Sequence, residues 1–359
     1  LIIFCITVCI VVMFAYYQNL RKEISVRQEW LETVLTREKK WILENQGPEG
    51  EIYMNGSKAG DVNPYFACMA ALGLLAETKN CPMTETEQKA VGRYLDWHTG
   101  VLLETDGKMG IYRKEGGELI YKEKADSEDG YLGMYLFLMG KYLEKTESTD
   151  LPESWKNGIS LALKKIQSLM QDGITQVSEE NTTVYLMDNL EVWKGLYELE
   201  LAGLEDTQAI SEIRKKIQKQ IEKIFWDDAN QRWRIIGNSD RYHQTEFYPD
   251  GVAQIYPLIY EFPVKEKKKQ KVLYDQFTER FQWQKLNKKR TGFLWAMTGM
   301  AAAQMRDINN LVELVGNYET EYCKKRKYPL YTGEAGWMEC EKLYGLYERK
   351  IKTAFIPCI

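Results

Sequence analysis

Six stretches of the chain read as nearly apolar helices, each opening on polar or acidic residues beside aromatics. They are "DVNPYFACMAALGLLAE" from Asp61, "DSEDGYLGMYLFLMGKYL" from Asp126, "YLMDNLEVWKGLYELELAG" around Asp188, "YPDGVAQIYPLIYEF" around Asp250, "TGFLWAMTGMAAAQM" from Thr291 and "GEAGWMECEKLYGLYE" from Gly333. They recur at steps of about 65, 62, 62, 41 and 42 residues, each long enough for two helices and two loops. Between them lie more polar stretches such as "PESWKNGISLALKKIQSLMQDG" and "DTQAISEIRKKIQKQIEKIFWD", with apolar residues at i, i+3, i+4 spacing and Lys and Glu between. A helix that is apolar all round must be buried, whereas a striped one keeps a wet face. The pattern therefore predicts twelve helices in six pairs, an all-α (α/α)6 toroid with the apolar member of each pair inside. An open solenoid of helix pairs is the alternative, and its repeats would be more uniform than these.

In a toroid of this kind the inner helices run parallel and their N-termini meet at one rim. The acidic openings then surround a single mouth. Acidic residues in a first turn also complement the helix dipole, so capping alone accounts for part of the pattern. Three β-prone pieces, residues 50–58, 107–125 and 231–238, alternate apolar and polar residues near Gly turns and are expected as hairpins on the same rim.

The first 17 residues, "LIIFCITVCIVVMFAYY", are apolar and uncharged and nearly long enough to span a bilayer. Residues 1–20 are expected as a transmembrane signal anchor or uncleaved signal peptide, with 21–359 forming the toroid outside the cytoplasm. A buried core helix is the other reading. The chain of 359 residues carries a net charge of -4 and no basic stripe, so nucleic acid is not an expected partner. Seven Cys form no CxxC pair and only two His are present, His98 and His243, so no metal site is expected. GxSxG, GxxxxGK[ST] and GxGxxG are all missing, which removes the usual serine-hydrolase and nucleotide signatures, and no cofactor is expected. The protein is expected to act as a monomer.

Carboxylates beside 23 Tyr and 10 Trp, without a metal cluster or phosphate loop, favour a carbohydrate, because sugar rings stack on aromatic faces. Glycoside hydrolysis needs two carboxyl groups across a bond, one with a raised pKa.

The six-hairpin layout resembles the six-hairpin glycosidase superfamily, and within it the nearest likeness is to glycoside hydrolase family 8, over residues 26 to about 350. That family carries its general acid as a Glu before the first inner helix, in an E-G-x-x-Y-G-M setting. Here the stretch is "PEGEIYMNGSKAGDVNPYFACMAAL", with Asp61 four residues before Tyr65 where the family has Glu, and Glu51 ten residues earlier. The family's second inner helix opens on a sugar-binding D-x-D-x-D-I-A-Y segment, which "ADSEDGYLGMYLFL" resembles through Asp126, Asp129 and Tyr131. Its base is an Asp in a Y-D-A-x-R-x-P setting, which "YPDGVAQIYP" resembles through Asp250, with Gln254 in place of Arg and a longer step to Pro257.

The resemblance implies a glycoside hydrolase acting on a polysaccharide, and the apolar N-terminus makes it membrane-anchored and extracellular. Glu51 or Asp61 is then the acid, and Asp250 or Asp188 activates water. Tyr65, Asp126, Asp129, Tyr131, Asn189, Glu191, Tyr248, Glu334 and Trp337 hold the sugar. Each candidate also has a structural reading. Asp61 can cap the helix that has Pro64 in its first turn. Glu51 can be a solvated hairpin residue, Asp126 and Asp129 cap and dipole charges, Asp250 a cap, and Trp337 core. Asp188 and Glu191 lie three apart on one helix face beside apolar residues, where an unpaired carboxylate is costly. Two other readings share the fold. A polysaccharide lyase or unsaturated-uronide hydrolase would draw on Arg241, Tyr242 and His243. A binding or scaffold toroid would have lost catalysis.

Overall fold

A computed structural model describes the backbone of residues 2–56, 60–78, 80–116, 118–148, 150–204, 207–237, 239, 246–286, 293–326 and 330–338, and the side chains of these residues except 2–8, 10, 17, 20, 21 and 23–28. Among the described residues twelve α-helices alternate between two rings. The outer ones are α1 (Ile2–Glu44), α3 (Glu85–Glu104), α5 (Glu153–Leu169), α7 (Thr207–Phe225), α9 (Lys267–Phe281) and α11 (Ile308–Tyr318). The inner ones are α2 (Pro64–Leu74), α4 (Glu128–Thr146), α6 (Leu186–Leu201), α8 (Val252–Ile259), α10 (Thr298–Met305) and α12 (Thr332–Met338). The two classes follow their sequences. In α7 one stripe, Ile210, Ile213, Ile217, Ile221 and Phe225, is buried and Lys and Glu cover the rest. In α4 every residue from Glu128 to Gly140 is buried.

Each inner helix packs on the next, α2 on α4, α4 on α6, α6 on α8, α8 on α10 and α10 on α12, and α12 returns to α2. The ring is therefore closed, and the open solenoid is set aside. The seam at α12 and α2 is tight: a Cβ at Gly336 would lie 2.1 Å from the Met69 carbonyl oxygen. Two caps differ from the sequence reading. Asn63, not Asp61, caps α2, accepting from the Tyr65 N–H at 2.9 Å. Ser127, between the two expected aspartates, caps α4. In each case the polar residue directly before the helix sits where its oxygen reaches the N–H two or three residues on.

Of the expected rim hairpins, that at 107–125 forms in full. Strand β1 (Asp61–Val62) pairs with β2 (Gly110–Glu115), and β2 with β3 (Glu118–Lys124), all antiparallel. Residues 50–56 form only an isolated bridge, Gln46 to Ile52. The last hairpin is shifted: β6 (Trp226–Asp227) pairs with β7 (Arg232–Trp233), so the chain turns ahead of residues 231–238. A further two-residue pair, β4 (Met170–Gln171) with β5 (Ile174–Thr175), leads towards α6.

The apolar N-terminus is not separated from the first outer helix. Both lie in α1, which runs through the polar "QNLRKE" without a break. Val11, Val12, Met13, Phe14 and Tyr16 on it are 60 to 70% exposed, so none of them packs on the ring. The anchor expected over residues 1–20 falls largely on side chains outside the described ones. Among the described residues no helix is long and apolar enough to cross a membrane.

Candidate active site

The N-terminal ends of the inner helices surround a cavity of about 460 Å³. How α4 and α6 approach sets the carboxylates on one side of it. A Cβ at Gly133 would lie 2.7 Å from the Val192 nitrogen, and one at Gly195 would lie 2.3 Å from the Gly133 oxygen. A Cβ at Gly140 would fall 2.5 Å from the Glu198 carbonyl carbon. The helices thus touch backbone to backbone, which a side chain at any of these positions would prevent. That contact brings Asp126, Ser127 and Asp129 at the head of α4 against Asp188 and Glu191 in the first turns of α6.

Glu191 is 2% exposed, and one of its oxygens, Oε1, collects three phenols. Tyr65 on α2 donates to it, as do Tyr256 at 2.7 Å and the residue after α8, Tyr260, at 3.3 Å. Burial pushes this carboxyl up to about 8, against the lowering effect of the phenols, so it is neutral at pH 7. Asp188 is half-buried in the cavity wall. Burial first, then the charges of Asp129 and Glu191, hold its carboxyl well above the ordinary range. Asp126 is exposed and lines the same wall.

Aromatic faces complete the cavity. Tyr248, 46% exposed, tilts against Trp295 with ring centres 4.8 Å apart. Tyr131 packs on Tyr65 at 5.5 Å, and Phe66 on Phe293 at 5.1 Å. Glu334 on α12 accepts the N–H groups of Leu294 at 3.1 Å, Trp295 at 3.1 Å and Ala296 at 2.7 Å. Burial raises its carboxyl to about 7 in spite of those three donors. Glu334 therefore fastens the loop that carries Trp295. Lys124, the cation among the lining residues, is tied to Glu128 at 3.1 Å and to Glu180. Among the described residues no group of His, Cys, Asp or Glu is arranged to hold a metal ion.

No family model and no curated protein matches this chain. Solved structures do. A glycosidase in complex with glucose superposes with a TM-score of 0.60 at 11% identity, covering 90% of this chain and 99% of that one. A rhamnosidase from Klebsiella oxytoca with rhamnose bound gives 0.53 at 12% identity over 81% of this chain and 54% of that one. A D-mannose isomerase gives 0.52 at 13% identity over 81% and 85%. The chain shares its fold, a ring of six helix pairs, with these glycosidases and the sugar isomerase.

On this six-hairpin frame the expected site residues separate into two groups. Tyr65, Asp126, Tyr131, Asp188, Glu191, Tyr248, Glu334 and Trp337 line the cavity together. Glu51, Asp61, Asp129, Asn189 and Asp250 do not. Glu51 is fully buried, not solvated, and accepts from the Tyr53 hydroxyl at 2.8 Å and the Glu49 N–H at 3.1 Å, with Lys114 at 3.4 Å. Asp61 lies in β1, where Arg113 at 2.7 Å and Lys122 at 2.8 Å clamp it and hold its carboxyl below the usual range. Asp250 is buried at the approach to α8. Asn189 is fully buried and bonds Thr175. Arg241, Tyr242 and His243 lie outside the described residues. His98 is buried in α3, its ring held neutral by burial, away from the cavity.

Several lining residues escaped the sequence reading: Ser127, Tyr256, Phe293 and Trp295. Ser127 had a signal, a small hydroxyl residue just before an apolar helix. Tyr256 also had one, a phenol in a nearly apolar inner helix. Phe293 and Trp295 sit in an irregular loop, where no periodicity points inward.

Proposed function

We propose that the chain is a glycoside hydrolase in which Asp188 is the general acid and Asp126 the second carboxylate. The observation that carries this reading is Asp188 itself, a half-buried carboxyl on the wall of an aromatic-lined cavity, where burial and the neighbouring Asp129 and Glu191 favour its protonated form. An acid with that property can give its proton to a leaving glycosidic oxygen as the C–O bond breaks. Asp126, exposed on the same wall, takes the proton of the water that adds to the sugar carbon. Tyr248 and Trp295 give the sugar ring an apolar face to lie on. Glu51, Asp61 and Asp250 act in this reading as structural carboxylates.

The apolar start of α1, with Val11 to Phe14 exposed, supports an anchored protein, and the extracellular side for its catalytic body is part of the same proposal. Fractionation of membranes, followed by protease digestion of intact cells, checks that part separately.

The decisive assay is reducing-end release from β-glucans, xylan, chitosan and acidic glycans by the protein and by its Asp188→Asn and Asp126→Asn variants. Loss of about 10²–10⁴ in rate in both is expected. Release untouched by either substitution would end the assignment. Binding without release would favour a scaffold. Sugar isomerisation, which the likeness to a D-mannose isomerase raises, would appear as an interconverted monosaccharide with no new reducing end.

A further inference from the structure

The two oxygens of Glu191 have different surroundings. Oε1 accepts from the Tyr65 hydroxyl, from Tyr256 at 2.7 Å and from Tyr260 at 3.3 Å. Oε2 has no hydrogen-bond partner among the described residues. It is not one of the sealed, orphaned polar atoms of the fold either, so it opens on the cavity that Glu191 lines. Gly130 makes room for it at the head of α4: a Cβ there would lie 2.7 Å from Oε2 and 2.9 Å from Ser127 Oγ. A carboxyl oxygen that accepts from phenols has its lone pairs engaged, so a neutral Glu191 carries its proton on Oε2. Burial favours that neutral form. Glu334, the other carboxyl of the cavity raised by burial, has no such free oxygen. Its Oε1 accepts from Leu294 and Trp295, and its Oε2 from Ala296.

We propose that Glu191 is a sugar-binding residue: its Oε2–H donates a hydrogen bond to an oxygen of the sugar in the cavity, and the three phenols on Oε1 fix the direction of that donor. This rests on the reading of the cavity as a sugar site, not on which carboxyl is the acid. No covalent bond changes at Glu191, and its proton stays on Oε2 through the reaction. The carboxyl serves as a neutral donor, a role that an amide also fills. Two carboxyls face Glu191, the fully buried Asp129 from α4 and Asp188 from its own helix. The phenols facing it are Tyr65 from α2, Tyr131 from α4, Tyr248 from the approach to α8, and Tyr256 and Tyr260 from α8 and its end. Burial holds all of these phenols above their ordinary range, so they keep their protons while Glu191 titrates. Glu191 loses its proton as pH rises through about 8, and the donor goes with it.

The test reads binding rather than turnover. The full chain with Asp188→Asn is used, so that neither cleavage nor the Asp188 carboxyl adds to the signal, beside the same chain carrying Glu191→Gln. Cellobiose, xylobiose and the chitosan disaccharide are the probes. Infrared difference spectra at about pH 6, with glutamate labelled by ¹³C, are expected to show the C=O stretch of a protonated glutamic carboxyl moving to lower frequency as the sugar binds. That shift should be missing from Glu191→Gln. A Glu191 that only ties the helices together would leave the band in place. The introduced amide can donate where Oε2–H did, so calorimetry at the same pH should give Glu191→Gln a Kd within about threefold of its parent. Raising the pH to about 9.5 should weaken the parent roughly tenfold and leave Glu191→Gln unchanged. A sugar that binds without moving the band overturns the proposal, as does a Glu191→Gln protein that loses affinity with pH as its parent does. So does a cavity that holds none of the probes. Should Glu191→Gln fail to fold, the labelled band in the parent decides alone, and Glu334→Gln should leave its shift present. Sugar bound through Glu191 but not cleaved by the protein with Asp188 intact sinks the hydrolase reading and leaves this one. Sugar cleaved with the band unmoved does the reverse.

Discussion

The Tyr65 hydroxyl on α2 is hydrogen-bonded to Glu191 Oε1 on α6, so the two helices that flank α4 are tied together at the cavity. Tyr256 and Tyr260 reach the same oxygen. The bond works because Glu191 is neutral. A buried carboxylate accepting only phenols would need a cation, and the groups around it are Asp129, Asp188 and the phenols themselves.

This arrangement gives stability a definite pH dependence. Glu191 is raised from 4.5 to about 8 on folding, so its stabilising contribution is whole below about 4.5 and falls as pH rises towards 8. The slope is at most roughly 1.4 kcal/mol per pH unit. Glu191→Gln keeps the acceptor oxygen and cannot ionise. Denaturant unfolding at pH 5 and pH 8 should show wild type losing more than about 1 kcal/mol relative to Glu191→Gln over that interval. Parallel losses in the two proteins would mean that Glu191 is ionised in the fold.

Glycine contacts fix the spacing of α4 and α6, and they can be tested against an internal control. A Cβ at Gly133 meets the Val192 backbone at 2.7 Å, whereas one at Gly100 in α3 meets nothing within 4 Å. Gly133→Ala is expected to cost roughly 1–3 kcal/mol or more by forcing backbone apart, and to lower activity because Asp188 moves with α6. Gly100→Ala should stabilise by about 0.5–1 kcal/mol, the helix-propensity gain. Thermal unfolding of the two variants gives both signs. Equal effects would remove the close-packing argument.

The six inner helices were legible because each carries its own signal, an apolar run behind a polar opening. Their ring was legible because helices that are apolar all round must be enclosed. Asp188 and Glu191 followed from spacing alone, three apart on one face. That Asp61 lies away from the cavity was not legible, because the local sequence does not say which way a short strand turns. Cross-strand pairing puts Asp61 opposite Arg113, and two cations take it up. Ser127 took the cap from its acidic neighbours through a single hydrogen-bond geometry. Trp295 is held at the cavity in part by Glu334, 39 residues away, which grips its loop, a contact with no local sequence signature.

That grip is open to a direct test. Glu334→Ala leaves the N–H groups of Leu294, Trp295 and Ala296 without their acceptor in a buried setting. Each orphaned donor costs about 1–3 kcal/mol. A loss of about 3 kcal/mol or more in denaturant unfolding is expected, with a change in the fluorescence of Trp295. Glu334→Gln keeps one acceptor oxygen and should recover part of that loss. A cost below about 1 kcal/mol for the Ala variant would show that the loop holds itself.

Tyr248 separates binding from folding. Its ring is half in solvent and lies against Trp295, so little of the core depends on it. Tyr248→Ala should leave stability within about 0.5–1 kcal/mol of wild type. A lost ring contact is worth about 0.5–1.5 kcal/mol, which predicts a rise in Kd of up to roughly tenfold for a sugar that the cavity holds. Tyr248→Phe keeps the ring and should keep most of the affinity. Calorimetric titration with the best oligosaccharide from the release panel measures all three proteins. An unchanged Kd in Tyr248→Ala would take the sugar off this face and leave Tyr131 and Trp337, which line the same cavity, as its platform.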